Sequence, residues 1–285
     1  MRTVRSARTR VATAVLAALS AALLAAALAA APLVYGGEPE SVTGRDALVI
    51  GVDHDLPGLS ARTGGGPLEG FEIDVAAYVA GRLGVAPADV TLRPLRSARP
   101  EDALRDGTID MAVSTRPITA ARKDRVTFAG PYYLAHQDIL VRQGDRAVRT
   151  VRDLRGKRIC KVSGSDSWWV VTGDREVAAV PVPMASYAAC AESVAAGRVD
   201  AATTDDLVLA GLAAAVPGTT VVNAPFTDVK YGIALPEGDR EGCLEVNRIL
   251  TGMYQNGAAA TMLDRWFGTS GLDLPASVPQ FEGCP

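Results

Sequence analysis

The sequence predicts an α/β fold built from two similar units in tandem. Short apolar runs alternate with amphipathic helical segments, and this alternation stops and then restarts in the middle of the chain. The length of 285 residues suits two units of about 100 to 130 residues each. With 48% hydrophobic residues the chain has enough apolar side chains for a core, so a disordered protein is excluded.

The first unit begins with an apolar run at residues 48–52, which is typical of a strand. Residues 71–83 repeat apolar side chains at helical spacing, and Gly84 follows as a helix-ending signal. The rest of the unit is predicted to be a strand, a short helix and a strand at residues 90–95, 101–105 and 109–113. Because strands and helices alternate, a largely parallel sheet is expected.

The second unit repeats this pattern. Its predicted elements are a strand at 158–162, a helix from Ser167 onward, a helix at 186–196, a strand at 199–202, a helix at 206–215 and a strand at 220–223. Residues 137–142 and 231–235 resemble strands that leave the first and the second unit, so they are candidates for the connections. Amphipathic segments at 239–256 and 258–267 have no sheet of their own and are expected to pack onto the first unit.

The N-terminus has the pattern of an export segment. Four arginines within the first ten residues precede an uncharged apolar run at residues 11–34. This run is longer than the core of an ordinary signal and long enough to cross a bilayer, so the pattern fits both a cleaved signal peptide and a retained anchor at residues 1–35. Residues 36–45 are a polar linker. The chain is therefore predicted to be exported.

Charge and motifs exclude several function classes. Lys plus Arg number 29 and Asp plus Glu number 32, and the predicted folded part has no basic stripe, so a nucleic-acid partner is not expected. The sequence has no phosphate-binding loop, no nucleophile-elbow motif and no zinc-type Cys or His spacing. No cofactor and no metal are expected.

Four cysteines in an exported chain predict two disulfides. Three pairings are open. The assignment of units favours Cys160 with Cys190 and Cys243 with Cys284, because the first two lie within the second unit and the other two lie after it.

A series of short motifs occurs in an order typical of one family. The motifs lie at 70–74, 106–110, 118–122, 126–133, 153–157, 163–165, 197–201, 231–233 and 265–268, and Asp205 lies between those at 197–201 and 231–233. From about residue 48 to residue 268 this order resembles the extracellular solute-binding proteins of polar amino-acid ABC importers, family 3. Residues 56–59 and 138–142 look most similar to the glutamate-binding branch of high-GC Gram-positive bacteria.

The resemblance implies a two-lobed periplasmic-binding-protein-like fold of type II. Each lobe is then a mostly parallel sheet flanked by helices, and two hinge strands join the lobes. The expected boundaries are 46–131 plus 231–270 for lobe 1 and 135–228 for lobe 2, with a C-terminal tail at 271–285.

An amino-acid ligand presents a carboxylate and an ammonium group, so a closed cleft must offer a cation and a carboxylate. The candidates are Arg122, behind a cap at Thr119, and Asp205, at the end of a predicted strand where open α/β sheets bind ligands. The resemblance assigns the ligand carboxylate to Arg122 and the ammonium to Asp205. The alternatives are a surface ion pair of Arg122, with Asp124 or another helix acid, and a helix cap at Asp205, a task that Asp206 could also perform.

The chain departs from the family pattern at two binding positions. The turn at 163–167 could hold the ligand carboxylate from lobe 2 through its backbone N–H groups, including that of Ser165, or it could only cap a helix. Asp166 stands there in place of a small neutral residue and would repel a carboxylate. Pro117 replaces a Ser or Thr and supplies neither a hydroxyl nor an N–H.

Side-chain selection is expected to come from lobe 1. Arg96 and Arg99 lie where glutamate-binding relatives place a basic residue, although solvated surface charges fit the pattern equally well. Asp55, Thr115 and Arg116 are expected to line the same wall. The adjacent tryptophans at 168–169 are expected to pack into the core.

The function implied by this resemblance is the capture of a glutamate-like amino acid by a monomeric extracellular protein that delivers it to an ABC permease. One alternative is a membrane-anchored extracellular sensor, which the apolar N-terminal run and the lack of a lipid-accepting Cys suggest. A third is an enzyme of the dehydratase type, although the motif-matched positions contain no general base such as His.

Overall fold

The computed structural model describes residues 41–95, 99–275 and 277–285, and all elements below lie in these ranges. The strands are β1 (Leu48–Val52), β2 (Asp55–Leu56), β3 (Ser60–Arg62), β4 (Leu68–Glu69), β5 (Val90–Pro94), β6 (Met111–Pro117), β7 (Thr127–Arg142), β8 (Arg158–Val162), β9 (Val180–Met184), β10 (Ala201–Asp205), β11 (Thr219–Val221) and β12 (Thr227–Leu235). The helices are α1 (Phe71–Arg82), α2 (Pro100–Arg105), α3 (Ala120–Lys123), α4 (Ser167–Trp169), α5 (Tyr187–Ala195), α6 (Asp206–Ala215), α7 (Arg240–Gln255) and α8 (Ala258–Phe267).

One mixed sheet runs in the order β5-β1-β6-β12-β7-β10-β8-β9, with β11 added beside β7. At one end β5, β1 and β6 are parallel, and at the other end β10, β8 and β9 are parallel. The strands between them, β12 and β7, are antiparallel to their neighbours. Two parallel α/β halves are therefore joined through two antiparallel strands, as the restarted alternation predicts.

The strands and helices of each half form where the apolar pattern places them. Four of the five residues of β1 are buried, which is typical of a parallel strand covered on both faces. The helix α1 turns Phe71, Val75 and Val79 inward and keeps acidic residues in its first turn. In the other half α6 buries most of its length, and Ser186 caps α5 by accepting a hydrogen bond from the Ala189 N–H at 3.2 Å.

The connecting strands are longer than the sequence predicts. β7 has 16 residues and pairs with β12 at Thr127 and with β10 at Val141, so it passes from one half of the sheet into the other. The sequence predicts a strand only at residues 137–142. β12 likewise begins at Thr227 and not at residue 231. The longer β12 brings Tyr231 into the sheet beside β7.

An aromatic cluster fills the region where the two halves meet. The rings of Tyr132 and Tyr133 lie 6.0 and 6.1 Å from the ring of Tyr231, and both lie 6.1 Å from Phe71, centroid to centroid. All four side chains are buried. Tilted and edge-on contacts at these spacings add to the stabilisation from burial.

Helices α7 and α8 return to the first half, as expected for segments without a sheet of their own. Val246, Leu250 and Met253 of α7 join the main core. Both favoured disulfides, Cys160–Cys190 and Cys243–Cys284, are present, each with a Cα–Cα distance of 5.9 Å, within the usual range. The second bond ties the C-terminal tail to α7.

None of the helices in the described ranges has the length and apolar character that a bilayer span requires. The predicted export segment at residues 1–35 and the first half of the linker, residues 36–40, lie outside the described residues.

Candidate functional site

Arg122 lies in the single helical turn α3, between β6 and β7. Thr119 occupies the N-cap position, and its carbonyl accepts hydrogen bonds from the N–H groups of Arg122 and Lys123 at 3.1 and 3.0 Å. The Thr119 side chain makes no cap hydrogen bond, so the predicted side-chain cap is wrong and the backbone alone closes the turn. α3 has no buried residue.

The guanidinium of Arg122 is held on two sides. Nη1 donates to the carbonyl oxygen of Pro117 at 2.7 Å, and Nε pairs with Oε1 of Glu101 at 3.3 Å. The Glu101 side chain is only 6% exposed, whereas that of Arg122 is 26% exposed. Within the described residues Nη2 has no hydrogen-bond partner, so one edge of the fork stays available to an anion. The partner is therefore an acid of α2 and not Asp124.

The surroundings of Arg122 are rich in charge. Burial lowers the pKa of its guanidinium, and the positive charges of Arg116 and Arg99 act in the same direction. The negative charges of Glu101 and Asp166 oppose this shift. Asp166 precedes α4, in the other half of the sheet. Residues of both halves therefore act electrostatically on Arg122.

Asp205 ends β10 and occupies the N-cap position of α6. Its carboxylate makes no cap hydrogen bond and instead accepts one from the hydroxyl of Tyr231, with 2.5 Å between Oδ2 and Oη. Burial raises the pKa of Asp205 to about 6, and the Tyr231 hydrogen bond opposes this rise. β10 covers 201–205 and not 199–202, so Asp205 is part of the strand.

Asp206 is a second buried acid beside the first. Its Oδ1 accepts a hydrogen bond from the Leu207 N–H at 2.8 Å, so it bonds to the first turn of α6, where Asp205 does not. Burial raises the pKa of Asp206 to about 7, and the nearby charge of Asp205 adds to the rise. Two adjacent carboxyl groups thus favour a bound cation or protonation at neutral pH.

Tyr231 connects the two candidate residues. In the pairing of β12 with β6 it lies opposite Pro117, whose carbonyl binds Arg122, and its own hydroxyl donates to Asp205. Arg122 and Asp205 come from different halves of the sheet, yet each is one contact away from the Pro117–Tyr231 pair. A cation of one half and a carboxylate of the other are thus linked through the pairing of β12 with β6.

The polar groups of Ser165, in the turn before α4, already have hydrogen-bond partners within the protein. The Ser165 N–H donates to the Val162 carbonyl at 3.2 Å, and the Ser165 hydroxyl bonds to the hydroxyls of Ser167, at 3.0 Å, and Tyr187. Asp166 is exposed, and its side chain makes no cap hydrogen bond. The Ser165 N–H is therefore already used within the turn.

Thr115 is bound to Asp53, the residue that follows β1. Its N–H and its hydroxyl both donate to Oδ2 of Asp53, at 3.2 and 3.1 Å. Burial raises the pKa of Asp53, Arg116 lowers it, and the charge of Asp55 adds to the rise. Asp55 itself is exposed in β2. Asp53 follows the carboxyl end of β1, a position where α/β sheets place ligands, and this signal could have identified it from the sequence.

Two arginines, Arg96 and Arg99, are predicted to contact the side chain of a ligand. Arg99 is exposed at the N-cap of α2 and lies close enough to Arg122 to lower its pKa. Arg96 lies outside the described residues.

The two adjacent tryptophans differ in burial. Trp168 is partly buried under Lys161, whose Nζ lies 4.1 Å from the ring centroid. Trp169 is 54% exposed, so the expected core packing is wrong for Trp169.

Several residues of this site have no signal in the sequence. Glu101 pairs with Arg122 although 21 positions separate them, and Tyr231 reaches Asp205 from the connecting strand β12. Such contacts depend on the crossing of strands that are distant in the chain, so residue type and spacing do not reveal them.

Glu72 of α1 is a fully buried carboxyl group near Asp53. The Tyr132 hydroxyl lies 2.8 Å from Oε1 of Glu72 and 3.1 Å from the Ser114 carbonyl oxygen, although it has one hydrogen to donate. A protonated Glu72 resolves this, because it donates to Tyr132 while Tyr132 donates to Ser114. Burial, with the Asp53 charge, raises the pKa of Glu72 well above its usual value.

We expect Glu72→Gln to flatten the pH dependence of folding stability. A carboxyl group with a raised pKa in the folded state stabilises the fold fully below its unfolded pKa, near 4.3, and this contribution is lost as pH rises. Above that value the wild type should lose up to about 1.4 kcal/mol per pH unit relative to the variant. Urea unfolding at pH 5 and pH 8 measures this, with Glu69→Gln in β4 as control. Equal slopes for wild type and Glu72→Gln would contradict a protonated Glu72.

Comparison with known proteins identifies relatives. Residues 48–269 match the family described as bacterial extracellular solute-binding proteins, family 3. The glutamate-binding protein of Corynebacterium glutamicum is 34% identical over 241 residues, which cover 81% of this chain and 81% of that protein. The glutamine-binding protein of an ABC transporter of Bacillus subtilis is 31% identical over 229 residues, covering 79% and 83%.

A crystal structure extends the likeness to the fold. An ancestral amino-acid-binding protein, a precursor of cyclohexadienyl dehydratase, has a TM-score of 0.67 and 29% identity, and the match covers 78% of this chain and 96% of that one. The two-lobed type II fold expected from the motifs is thereby confirmed. With a family match across both halves of the sheet, the chain belongs to the bacterial extracellular solute-binding proteins, family 3.

Proposed function

We propose that this protein captures a glutamate-like polar amino acid between its two lobes and delivers it to an ABC importer. The observation that carries this proposal is the link between the two residues: Arg122 contacts Pro117, Asp205 contacts Tyr231, and Pro117 lies opposite Tyr231 in the sheet. A guanidinium edge can accept the α-carboxylate, and a buried carboxylate can accept the ammonium. The glutamate-binding and glutamine-binding relatives support an amino acid as the ligand.

The lobes in this proposal comprise residues 46–131 plus 231–270 and residues 135–228. Strands β7 and β12 support these limits, because they run between the two parallel halves of the sheet. Contacts to both lobes exist only when the lobes are closed, so a bound ligand favours the closed state, which a membrane permease then recognises.

The side chain of the ligand is proposed to meet Arg99 and Arg96, with Asp55 and Thr115 along the same wall. The charge of Arg99, which already acts on Arg122, supports a site with excess positive charge in lobe 1. Such a site favours a second carboxylate, as in glutamate, over a neutral side chain.

Two features reduce the affinity expected for glutamate. Pro117 offers a carbonyl, which accepts from Arg122, and no N–H for the ligand. In lobe 2, Asp166 adds a negative charge, and the Ser165 N–H is used within its turn. Each lost charge-assisted hydrogen bond costs about 1.5–3 kcal/mol, or about tenfold to a hundredfold in affinity.

Thermal unfolding with a panel of amino acids and small organic acids tests the proposal. We expect L-glutamate or L-aspartate at about 100 times its dissociation constant to raise Tm by about 5–10 °C, and L-glutamine and L-arginine to do less. The absence of any shift with every amino acid would contradict amino-acid capture. A shift with cyclic organic acids alone, accompanied by their turnover, would instead favour the dehydratase-type alternative.

The second candidate function is an extracellular sensor held at the membrane by residues 1–35. The uncharged run at 11–34 favours it, since that run exceeds an ordinary signal core. Mass spectrometry of the protein from its native host distinguishes the two: a chain that begins after the apolar run supports a released binding protein, and an intact N-terminus supports the anchored sensor.

A further inference from the structure

The C-terminal tail is attached to the core of the fold at several points. We call residues 271–275 and 277–285 the C-terminal strap. Although it contains no helix or strand, Leu272, Leu274 and Phe281 pack against the main core, and Cys284 is bonded to Cys243 of α7. The Glu282 N–H donates to the Gly130 carbonyl of β7 at 2.9 Å. The strap is thus fixed to the fold by packing, by a covalent bond and by a backbone hydrogen bond.

Glu282 joins two segments that the site depends on. Its Oε1 pairs with Nζ of Lys230 in β12 at 2.8 Å, and its Oε2 pairs with Nζ of Lys123, the last residue of α3. The Glu282 side chain is 21% exposed, less than either lysine at 44%. These two cations lower the pKa of the Glu282 carboxyl group, with the Lys123 bond contributing most.

The turn α3 needs support from outside itself. Four residues with none buried do not form a stable helix alone, because nucleating a helical turn is unfavourable. Ahead of α3 the Ile118 N–H donates to the carbonyl of Lys230 at 2.9 Å. Lys230 therefore anchors the start of this segment through its backbone, while its side chain meets the same carboxylate that holds Lys123 at the end.

Arg122 is the neighbour of Lys123 in this turn. The contacts of Arg122 with Pro117 and Glu101 orient its guanidinium. They do so only while α3 itself is held in place. A bidentate grip on a carboxylate requires the guanidinium within about 0.5 Å of its productive position. Among the described residues, the ion pair between Lys123 and Glu282 joins the side chains of α3 to the strap.

We propose that Glu282 is a positioning residue for ligand capture: the strap holds α3 against β12, through Lys123 and Lys230, and so keeps Arg122 aimed at the ligand carboxylate. The inference rests on the proposed function for its ligand, but the support of α3 is a property of the chain without ligand. The C-terminal tail then contributes to ligand binding by lobe 1.

Hydrogen–deuterium exchange of Glu282→Gln, with Glu245→Gln as matched control, tests this support. Glu245 pairs with Arg248 on α7 and stands apart from α3, so its loss should not affect that turn. We expect the amides of residues 118–126 to exchange about two- to fivefold faster in Glu282→Gln and unchanged in the control, and Glu282→Asp to restore part of the protection. Lys123→Gln, which leaves Glu282 on Lys230, should have a similar effect.

Titration calorimetry with L-glutamate provides the second readout. Glu282→Gln and Lys123→Gln should raise the dissociation constant about two- to fivefold with little change in Tm, while Glu245→Gln leaves it unaltered. Unchanged exchange at residues 118–126 in both variants would overturn the proposal, whatever the ligand does. If the wild type does not bind L-glutamate, the proposed ligand is wrong, and the exchange data alone still decide the role of Glu282.

Discussion

Arg122→Ala is expected to abolish the thermal shift caused by L-glutamate and to weaken its binding at least about a hundredfold. The guanidinium supplies two parallel charge-assisted hydrogen bonds to a carboxylate, each worth about 1.5–3 kcal/mol. Removing it also leaves Glu101, which is 6% exposed, without its cation. The variant should therefore lose about 1–3 kcal/mol of stability as well. Calorimetric titration and urea unfolding measure the two effects separately.

Two further variants separate the hydrogen-bonding geometry of Arg122 from its positive charge. Arg122→Lys retains a cation for Glu101 but loses the planar fork, so we expect near-normal stability with a strongly reduced affinity. Arg125→Ala removes a neighbouring guanidinium that pairs with the half-exposed Asp102 at 2.6 Å, and should leave ligand binding unchanged. Wild-type affinity in Arg122→Ala would remove this residue from the site.

Asp205→Asn is expected to weaken glutamate binding by about a hundredfold at pH 7.5 and to reduce its dependence on acid pH, leaving the part that comes from Asp206, whose pKa burial raises to about 7. Burial raises the pKa of Asp205 to about 6, so the free cleft must release a proton to pair with an ammonium below that pH. In the wild type, affinity should fall up to about tenfold per pH unit below pH 6. Titrations between pH 4.5 and 7.5 measure this, and a variant with the wild-type profile would contradict the assignment.

The same substitution should stabilise the fold at neutral pH. Because the folded pKa of Asp205 exceeds the unfolded value of 3.8, its contribution is most favourable below pH 3.8 and is lost as pH rises to about 6. Asp205→Asn avoids this loss, by up to about 3 kcal/mol at pH 7. Asp228→Asn, at a carboxylate 73% exposed beside His136, serves as the control and should alter neither stability nor binding appreciably. Asp205→Asn is thus expected to increase the free energy of unfolding at neutral pH while it weakens glutamate binding.

Much of the architecture follows from local patterns. The helix α8 has the predicted bounds of 258–267, and α1 and α6 agree with their predicted spans within one residue, because apolar periodicity and turn residues act over a few positions. The connecting strand β7 was only partly predicted. Its first half is a strand because β12 pairs with it, and that pairing depends on a partner about a hundred residues away.

In the candidate site, some residues could be predicted from the sequence and others could not. Arg122 and Asp205 could be selected from the sequence, since motif order and the strand end marked them. Their environment could not, because Glu101, Tyr231 and Glu72 contact the site from other elements. The Thr119 side-chain cap and the buried Trp169 were wrong for a related reason: each is locally favourable, but the surrounding structure provides no partner or cover.

By itself, the sequence determined the alternation of strands and helices, the two disulfide pairs that the unit assignment favours, and the two charged residues that suit a zwitterion. These depend on residue type and short-range spacing. The tertiary structure alone decided that Pro117 accepts from Arg122, that two acids next to each other are buried enough to have raised pKa values, and that Glu282 meets the turn before β7. Such properties arise from desolvation and from contacts across the sheet, which exist only once distant segments have packed together.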